Sequence, residues 1–201
     1  MSISKVLVVS AHPLANSLCQ HLSAQAREAL LGHEIAAKHL NLYASNFDPR
    51  LQKEERQSYY QPQFDSNKLE TEITQLKETE LLVLVFPTWW FGFPAILKGW
   101  FDRVWAPGIA YDHATDLSAI KPRLDKLKQV IAITTMGSPW WVDWLIMRRP
   151  VRRVLKTALV GVCAPRANFQ MLTLYNAEKK TKPQIQEFEA RVQLAINTAL
   201  R

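Results

Sequence analysis

Residues 87–105, PTWWFGFPAILKGWFDRVW, gather the side chains of this chain best suited to hold a flat molecule. Trp89, Trp90, Phe91 and Phe93 surround Gly92, giving apolar walls and a backbone that a planar ring can approach closely. Exposed loops rarely concentrate four aromatics unless a ligand or partner covers them. The competing reading is that they are ordinary core. A second segment, Thr134-Thr135-Met136-Gly137-Ser138, offers hydroxyls and a glycine amide to the polar edge of a heterocycle. A third, residues 11–17 (AHPLANS), sets His12, Asn16 and Ser17 just before a helical pattern. Free N–H groups and the dipole at a helix start favour phosphate there. An Asn-Ser cap also arises for purely local reasons.

The elements around these segments bring them to one edge. The apolar run 81–86 (LLVLVF) has the length of a strand buried on both faces. Pro94 suits the first turn of the helix that follows. Residues 5–10 read as the first strand. Asn16 or Ser17 caps a helix with Leu18, Leu22, Ala26 and Leu30 on one side, ended by Gly32. A second strand is expected over 34–42, with 43–65 irregular apart from a short helix after Pro49. A helix over 67–78 follows, beginning at Asn67. A fourth strand covers 130–134, with a ligand-facing loop over 135–141. Then come a helix over 151–162, a fifth strand over 168–174 and a helix over 183–200. Its positions Ile185, Phe188, Val192 and Ile196 have helical spacing. This alternation predicts an α/β fold with a parallel five-stranded sheet and helices on both faces. A phosphate site after the first strand favours the order 2-1-3-4-5, a flavodoxin-like three-layer sandwich. In such a sheet, ligands sit at the carboxyl ends of the strands. A phosphate cradle, a flat aromatic slot and a polar rim together describe a flavin site.

Composition narrows the alternatives. No linker, repeat or low-complexity tract divides the 201 residues, so one domain over 1–201 is expected. The net charge of +7 favours anionic partners. The densest basic run, with Arg148, Arg149, Arg152, Arg153 and Lys156, reads first as a solvated helix face. No recognition motif accompanies it, so nucleic acid is not expected as a partner. The chain lacks G-x-G-x-x-G and the P-loop pattern, which speaks against dinucleotide and ATPase folds. His21, His33 and His39 have no ligand spacing, so no metal is expected. Cys19 and Cys163 lie far apart and outside any CxxC pattern, which suits packing thiols in a reducing compartment. With neither a signal peptide nor a run of ~18–20 apolar residues, a soluble, cytoplasmic protein is expected. The helix over 94–105 carries Ile96, Leu97, Trp100, Phe101, Val104 and Trp105, with Lys98 and Asp102 on its polar side. So wide an apolar face predicts burial by a second subunit, a homodimer through this helix. The alternative is a deeply internal helix.

The stretch FPTWWFGFPAILKGWFDRVW resembles the motif F-P-x-x-W-F-G-x-P-A-I-L-K-G-W-F-[DE]-R-V of the NAD(P)H:quinone oxidoreductases, the DT-diaphorase group. Supporting matches are AH with Ser17, LYASNFDP at 42–49, IAY at 109–111 and ITTMGS at 133–138. The likeness covers most of the chain through about residue 140. It implies a homodimer with one flavin, FMN or FAD, per subunit and NADPH or NADH as co-substrate. By this resemblance His12, Ser17 and Leu18 hold the flavin phosphate. Pro87, Thr88, Trp89, Trp90 and Phe91 carry the isoalloxazine, and Thr134, Thr135 and Gly137 meet its opposite edge. Tyr111 and His113 fall where the family places groups across the interface over the partner's flavin. Val142 and Arg148 stand where the best-known members have a tyrosine and a histidine, and Met136 replaces a glycine.

The implied activity is two-electron hydride transfer from NAD(P)H through flavin to a quinone. Rival readings are azo, nitro or flavin reduction on the same site, and a regulatory flavoprotein that docks on a membrane transporter. The tryptophan-rich basic run over 140–156 supports the latter. It is expected to form a lid beside the site, with Trp140, Trp141 and Trp144 sharing one side. Arg148 and Arg149 would then face the phosphate end of the nicotinamide cofactor, with Pro150 marking a break.

Overall fold

The computed structural model describes residues 3–61, 63–66, 68–114 and 120–201. Strands β1 (Val6–Ser10), β2 (Lys38–Asn41), β3 (Leu81–Pro87), β6 (Gln129–Met136) and β7 (Asn168–Tyr175) form a sheet in the order β2-β1-β3-β6-β7. Every pairing in it is parallel. Numbered among themselves, these five strands run 2-1-3-4-5, the order expected from a phosphate site after the first strand. Side chains alternate across the pleat, so each central strand feeds two cores. Val6, Val8, Val83 and Ile131 pack toward helices α1 (Leu18–Leu31) and α7 (Lys182–Ala199). Leu7, Val9, Leu82, Leu84 and Ala132 pack toward α3 (Glu70–Glu78) and α4 (Ala95–Val104). Helix α2 (Lys53–Ser58) lies in the segment after Pro49.

Several boundaries depart from the periodicity. Strand β2 is shorter than 34–42 because the chain first reverses. His33 and Ile35 donate back to the Leu30 carbonyl, and Glu34 takes a φ of 61°. Strand β6 runs past 134 to Met136, because β7 pairs with it as far as Tyr175 and Thr88 N–H donates to the Thr135 carbonyl. Helix α3 starts at Glu70, and Asn67 lies outside the described residues. A two-stranded ribbon of β4 (Tyr111–Asp112) and β5 (Lys121–Pro122), absent from the periodic pattern, pairs antiparallel.

The helix expected over 151–162 is continuous but uneven. Helix α5 (Pro150–Arg153) passes into the wide-turned stretch Val154–Val160 and ends in α6 (Gly161–Cys163). Gly161 N–H donates to Lys156 O, five residues back, and a Cβ at Gly161 would sit 2.9 Å from that oxygen. Only glycine leaves room for so wide a turn to close.

Helix α4 corrects the reason for expecting a second subunit on it. Ile96, Leu97, Trp100, Phe101, Val104 and Trp105 are all buried within the one chain. They join one buried cluster with residues of the sheet and with Phe47, Phe64, Val151 and Leu155. The internal-helix alternative holds. At Gly99 a Cβ would lie 2.1 Å from the Pro49 carbonyl oxygen, so the 42–49 segment packs directly on the helix backbone. The exposed side keeps Lys98, paired with Asp102 as the spacing predicts.

At the edge of the sheet opposite the strands' carboxyl ends, Glu80 ties three strands together. Its backbone bonds Lys5, Lys128 and Gln129, and its carboxylate accepts from Ser4 N–H (2.8 Å), Lys5 N–H (3.1 Å) and the Lys128 ammonium. The Lys128 ammonium, aided by Ser4, holds the Glu80 carboxyl down at about 2, against an ordinary 4.5. A depressed acid stabilises the fold above its unfolded pKa, and that contribution fades as pH falls toward the folded value. Glu80→Gln is therefore expected to cost about 1–2 kcal/mol at neutral pH, lessened by the exposure of Lys128. Urea unfolding of both proteins should show the difference shrinking as pH falls below 4.5. A difference constant with pH would rule out the ionic contribution.

Among the described residues no helix is long and apolar enough to cross a membrane, and no cluster of ligating side chains could hold a metal ion.

Candidate functional site

The carboxyl ends of β1, β3 and β6 open onto two adjoining clefts. One, about 240 Å³, is walled by His12, Leu18, Pro87 and Thr135. The other, about 480 Å³, is walled by Trp90, Phe91 and Ser138. Thr88, Trp89, Met136, Gly137 and Glu178 face both, so the two form one elongated recess.

The aromatic loop is a tight hairpin. Trp89 and Gly92 exchange both backbone hydrogen bonds, at 3.2 and 2.9 Å. Trp90 and Phe91 between them take φ of 49° and 55°. Such a turn normally holds Asn-Gly, because a side chain in left-handed backbone costs about 1–2 kcal/mol. Two bulky aromatics are held there instead, and Trp90 is 99% exposed at the tip. Backbone strain of this kind concentrates at ligand clamps. Both residues of the strained turn line the recess.

At the other end, Ser17 caps α1 by accepting from Gln20 N–H at 3.2 Å, and the helix has no acidic residue in its first turn. An anion there meets the positive end of the helix without a competing carboxylate. His12 Nδ1 accepts from Leu14 N–H at 3.1 Å. In the neutral ring that leaves Nε2–H as a donor. The imidazole also meets the Trp89 ring edge-on, with centroids 5.9 Å apart.

Two candidates lie behind this surface rather than on it. Thr134 is fully buried, its hydroxyl 2.8 Å from that of Thr88. It fixes Thr88, which does face the recess. Thr135 lines the recess, with its hydroxyl 3.3 Å from Cys19 Sγ. Burial pushes the Cys19 thiol up to about 11, so it stays protonated as a packing group. Cys163 is pushed up to about 11 by burial as well. Asn16 is exposed and walls neither cleft.

Glu178 escaped the sequence reading. It follows β7 on the loop leaving the same sheet edge, and its Oε1 would lie 3.5 Å from a Cβ at Gly137. Glu178 thus stands beside the Gly137 backbone on the wall of the recess. The rule that singled out the other loops, to inspect whatever leaves a strand's carboxyl end, would have found Glu178 as well.

Tyr111 and His113 are not brought to the aromatic loop. His113 lines a separate cleft of about 540 Å³ that shares no residue with the recess. It stacks on Tyr60 with centroids 4.6 Å apart, and its Nε2 lies 3.0 Å from Tyr59 O. Tyr111 meets His113 edge-on at 5.4 Å.

The lid expectation for 140–156 is corrected. Trp140, Trp141 and Trp144 are 56%, 46% and 49% exposed, and none walls the recess. Residues Val142–Ile146 form a wide helical turn that carries Trp144. Trp144 Nε1–H donates to the Tyr175 hydroxyl at 3.1 Å, which donates to buried Asp143 at 2.7 Å. Those bonds hold the turn to β7 instead of letting it fold over the cleft. The break before Pro150 is met by left-handed backbone at Arg148 and Arg149, φ 55° and 54°.

Comparison with known proteins agrees with this architecture. Over 129 residues the chain is 33% identical to a protein of Escherichia coli (strain K12) named as the NAD(P)H oxidoreductase YcaK, covering 61% of this chain and 63% of that one. Over 155 residues it is 34% identical to NAD(P)H dehydrogenase [quinone] 1 of Cavia porcellus, covering 68% of this chain and 55% of the relative. The matches thus span less than two thirds of either relative's length. The solved structure of an NAD(P)H:quinone oxidoreductase from Methanothermobacter marburgensis superposes with a TM-score of 0.84 at 22% identity, over 100% of this chain and 98% of that one, and so shares the fold. Residues 4–193 match the family described as having a flavodoxin-like fold, and the chain belongs to that family.

Proposed function

We propose that this protein is a flavin-dependent NAD(P)H oxidoreductase, reducing a quinone or a similar flat electrophile by two electrons. The observation that carries the reading is the strained Trp90–Phe91 turn lining a recess that reaches Leu18 at the capped start of α1. The names of the aligned relatives, oxidoreductases of NAD(P)H and quinone, support the same chemistry.

The residues present fit FMN or the flavin half of FAD. The α1 amides and His12 Nε2–H suit its phosphate. Trp89, Trp90 and Phe91 suit the apolar face of its ring, and Thr88, Thr135 and the Gly137 backbone suit the polar edge. A bound flavin supplies the hydride-accepting and hydride-donating centre. The chain itself stacks, orients and excludes water, and no side chain is needed as a nucleophile. One open face must receive NADPH or NADH and then the acceptor, which makes the kinetics ping-pong.

A homodimer is part of this reading, for a new reason. Within one protomer His113 lines a cleft apart from the recess and Tyr111 packs edge-on against it, so a second copy is what would bring them over a flavin. The protein acts as a single flavodoxin-like unit over residues 1–201 in the cytoplasm. The same recess would take an azo or nitro compound in place of a quinone.

The purified protein is expected to carry, or to bind on titration, FMN or FAD with the visible absorption of a flavin. Plots of reciprocal rate against reciprocal NAD(P)H concentration at several quinone levels should be parallel. Failure of both flavins to bind at saturating concentration would overturn the proposal.

A further inference from the structure

On the outer side of β7, the edge strand of the sheet, lies a depression of about 350 Å³ that shares no residue with the recess. Arg149, Arg152 and Arg191 line it, along with Trp144, Phe169 and Thr173. The three guanidiniums come from two different elements and converge on one hollow. Each is held over an aromatic ring. Arg149 lies 4.2 Å from the Trp144 centroid, Arg152 6.0 Å from Phe169 and Arg191 5.4 Å from Phe188. Stacking fixes the plane of a guanidinium and leaves its N–H edge free for an oxyanion.

The charge there is poorly neutralised. Arg152 and Arg191 form no ion pair among the described residues. Buried Asp143, which does not line the hollow, accepts from the Tyr175 hydroxyl and is Arg149's ionic partner, 4.0 Å from its Nε. That Nε is buried without a hydrogen bond. Left-handed backbone at Arg148 and Arg149 is what turns Arg149 into this place. A solvated helix face would need neither the strain nor the stacked rings.

We propose that this hollow is a second ligand site, which takes the phosphomonoester group of a small organic molecule. Three cationic forks suit a dianionic phosphate. The volume exceeds that of phosphate alone, and the Thr173 hydroxyl adds a further polar contact to the wall. Two sources share this chemistry: the 2′-phosphate end of NADPH, and a separate phosphorylated metabolite. Only the first rests on the oxidoreductase reading.

The test is calorimetric titration of the whole protein with 2′,5′-ADP, adenosine and inorganic phosphate, in wild type and in Arg152→Ala/Arg191→Ala. Both residues are away from the recess, so flavin content should not change. Wild type should bind 2′,5′-ADP, with phosphate competing and adenosine not binding. The double variant should lose about tenfold or more in affinity. A matching rise in KM for NADPH, with KM for NADH unchanged, assigns the phosphate to the nicotinamide cofactor. Loss of 2′,5′-ADP binding with both KM values unchanged assigns it to a separate metabolite. No binding by wild type, or equal binding by the variant, overturns the site. Because the titration needs no flavin, failure of the flavin reading would leave this result standing.

Discussion

Arg103→Ala is expected to remove about 3–5 kcal/mol of stability, a large share of the roughly 5–15 kcal/mol typical of a domain. Arg103 and Glu55 are 3% and 5% exposed. The guanidinium donates from Nε to Glu55 Oε2 at 2.9 Å and also bonds the Asp48 carbonyl. Glu55 in turn accepts from Gln52 N–H at 3.0 Å and so closes the start of α2. Deleting the arginine strands a buried carboxylate and a carbonyl together, which costs far more than the net worth of the pair. The measurement is urea unfolding followed by circular dichroism. The double variant Arg103→Met/Glu55→Leu should be more stable than Arg103→Ala, since neither charge is then left alone. If the single variant kept wild-type stability, the pair would not be what clamps the 48–58 segment onto α4.

The second large effect runs in two directions at once. Replacing Trp90 with Asn and Phe91 with Gly should stabilise the chain by about 1–3 kcal/mol, because both positions then accept left-handed backbone. The same change removes two aromatic walls from the recess. Flavin affinity should fall by about 1.5–3 kcal/mol, or more than tenfold in Kd. Thermal unfolding of the flavin-free protein reads the first effect, and flavin titration reads the second. A variant that is less stable, or one that binds flavin as tightly as wild type, would show that the strain is not kept for the ligand.

Much of the fold is legible because hydrophobic periodicity is a local signal. The run 81–86 has the length and composition of a strand buried on both faces, and the four-residue spacing from Leu18 to Leu30 fits one face of a helix. The gathering of aromatics at 89–93 marks the recess by itself, since turn position and side-chain type are both written in adjacent residues. Boundaries are less legible. Strand β6 gains Thr135 and Met136 from pairing with β7, more than thirty residues further on, and nothing near residue 135 announces that partner.

What the sequence determined alone is therefore the alternation of elements, which loops leave the strands' carboxyl ends, and the sheet order read from the loop that follows the first strand. What only the tertiary structure decided is which surface covers which. The apolar girth of α4 asks for burial on two sides, but the pattern is the same whether the second cover is a partner chain or the 42–49 segment of its own. The tryptophans at 140–144 carry the spacing of a lid, yet they stand exposed outside the recess, and Trp144 is tied to Tyr175 and through it to Asp143. Glu178 beside Gly137, and Arg191 beside Arg149 and Arg152, meet across long stretches of chain. Such convergence arises from three-dimensional packing and leaves no local periodicity in the residues that take part.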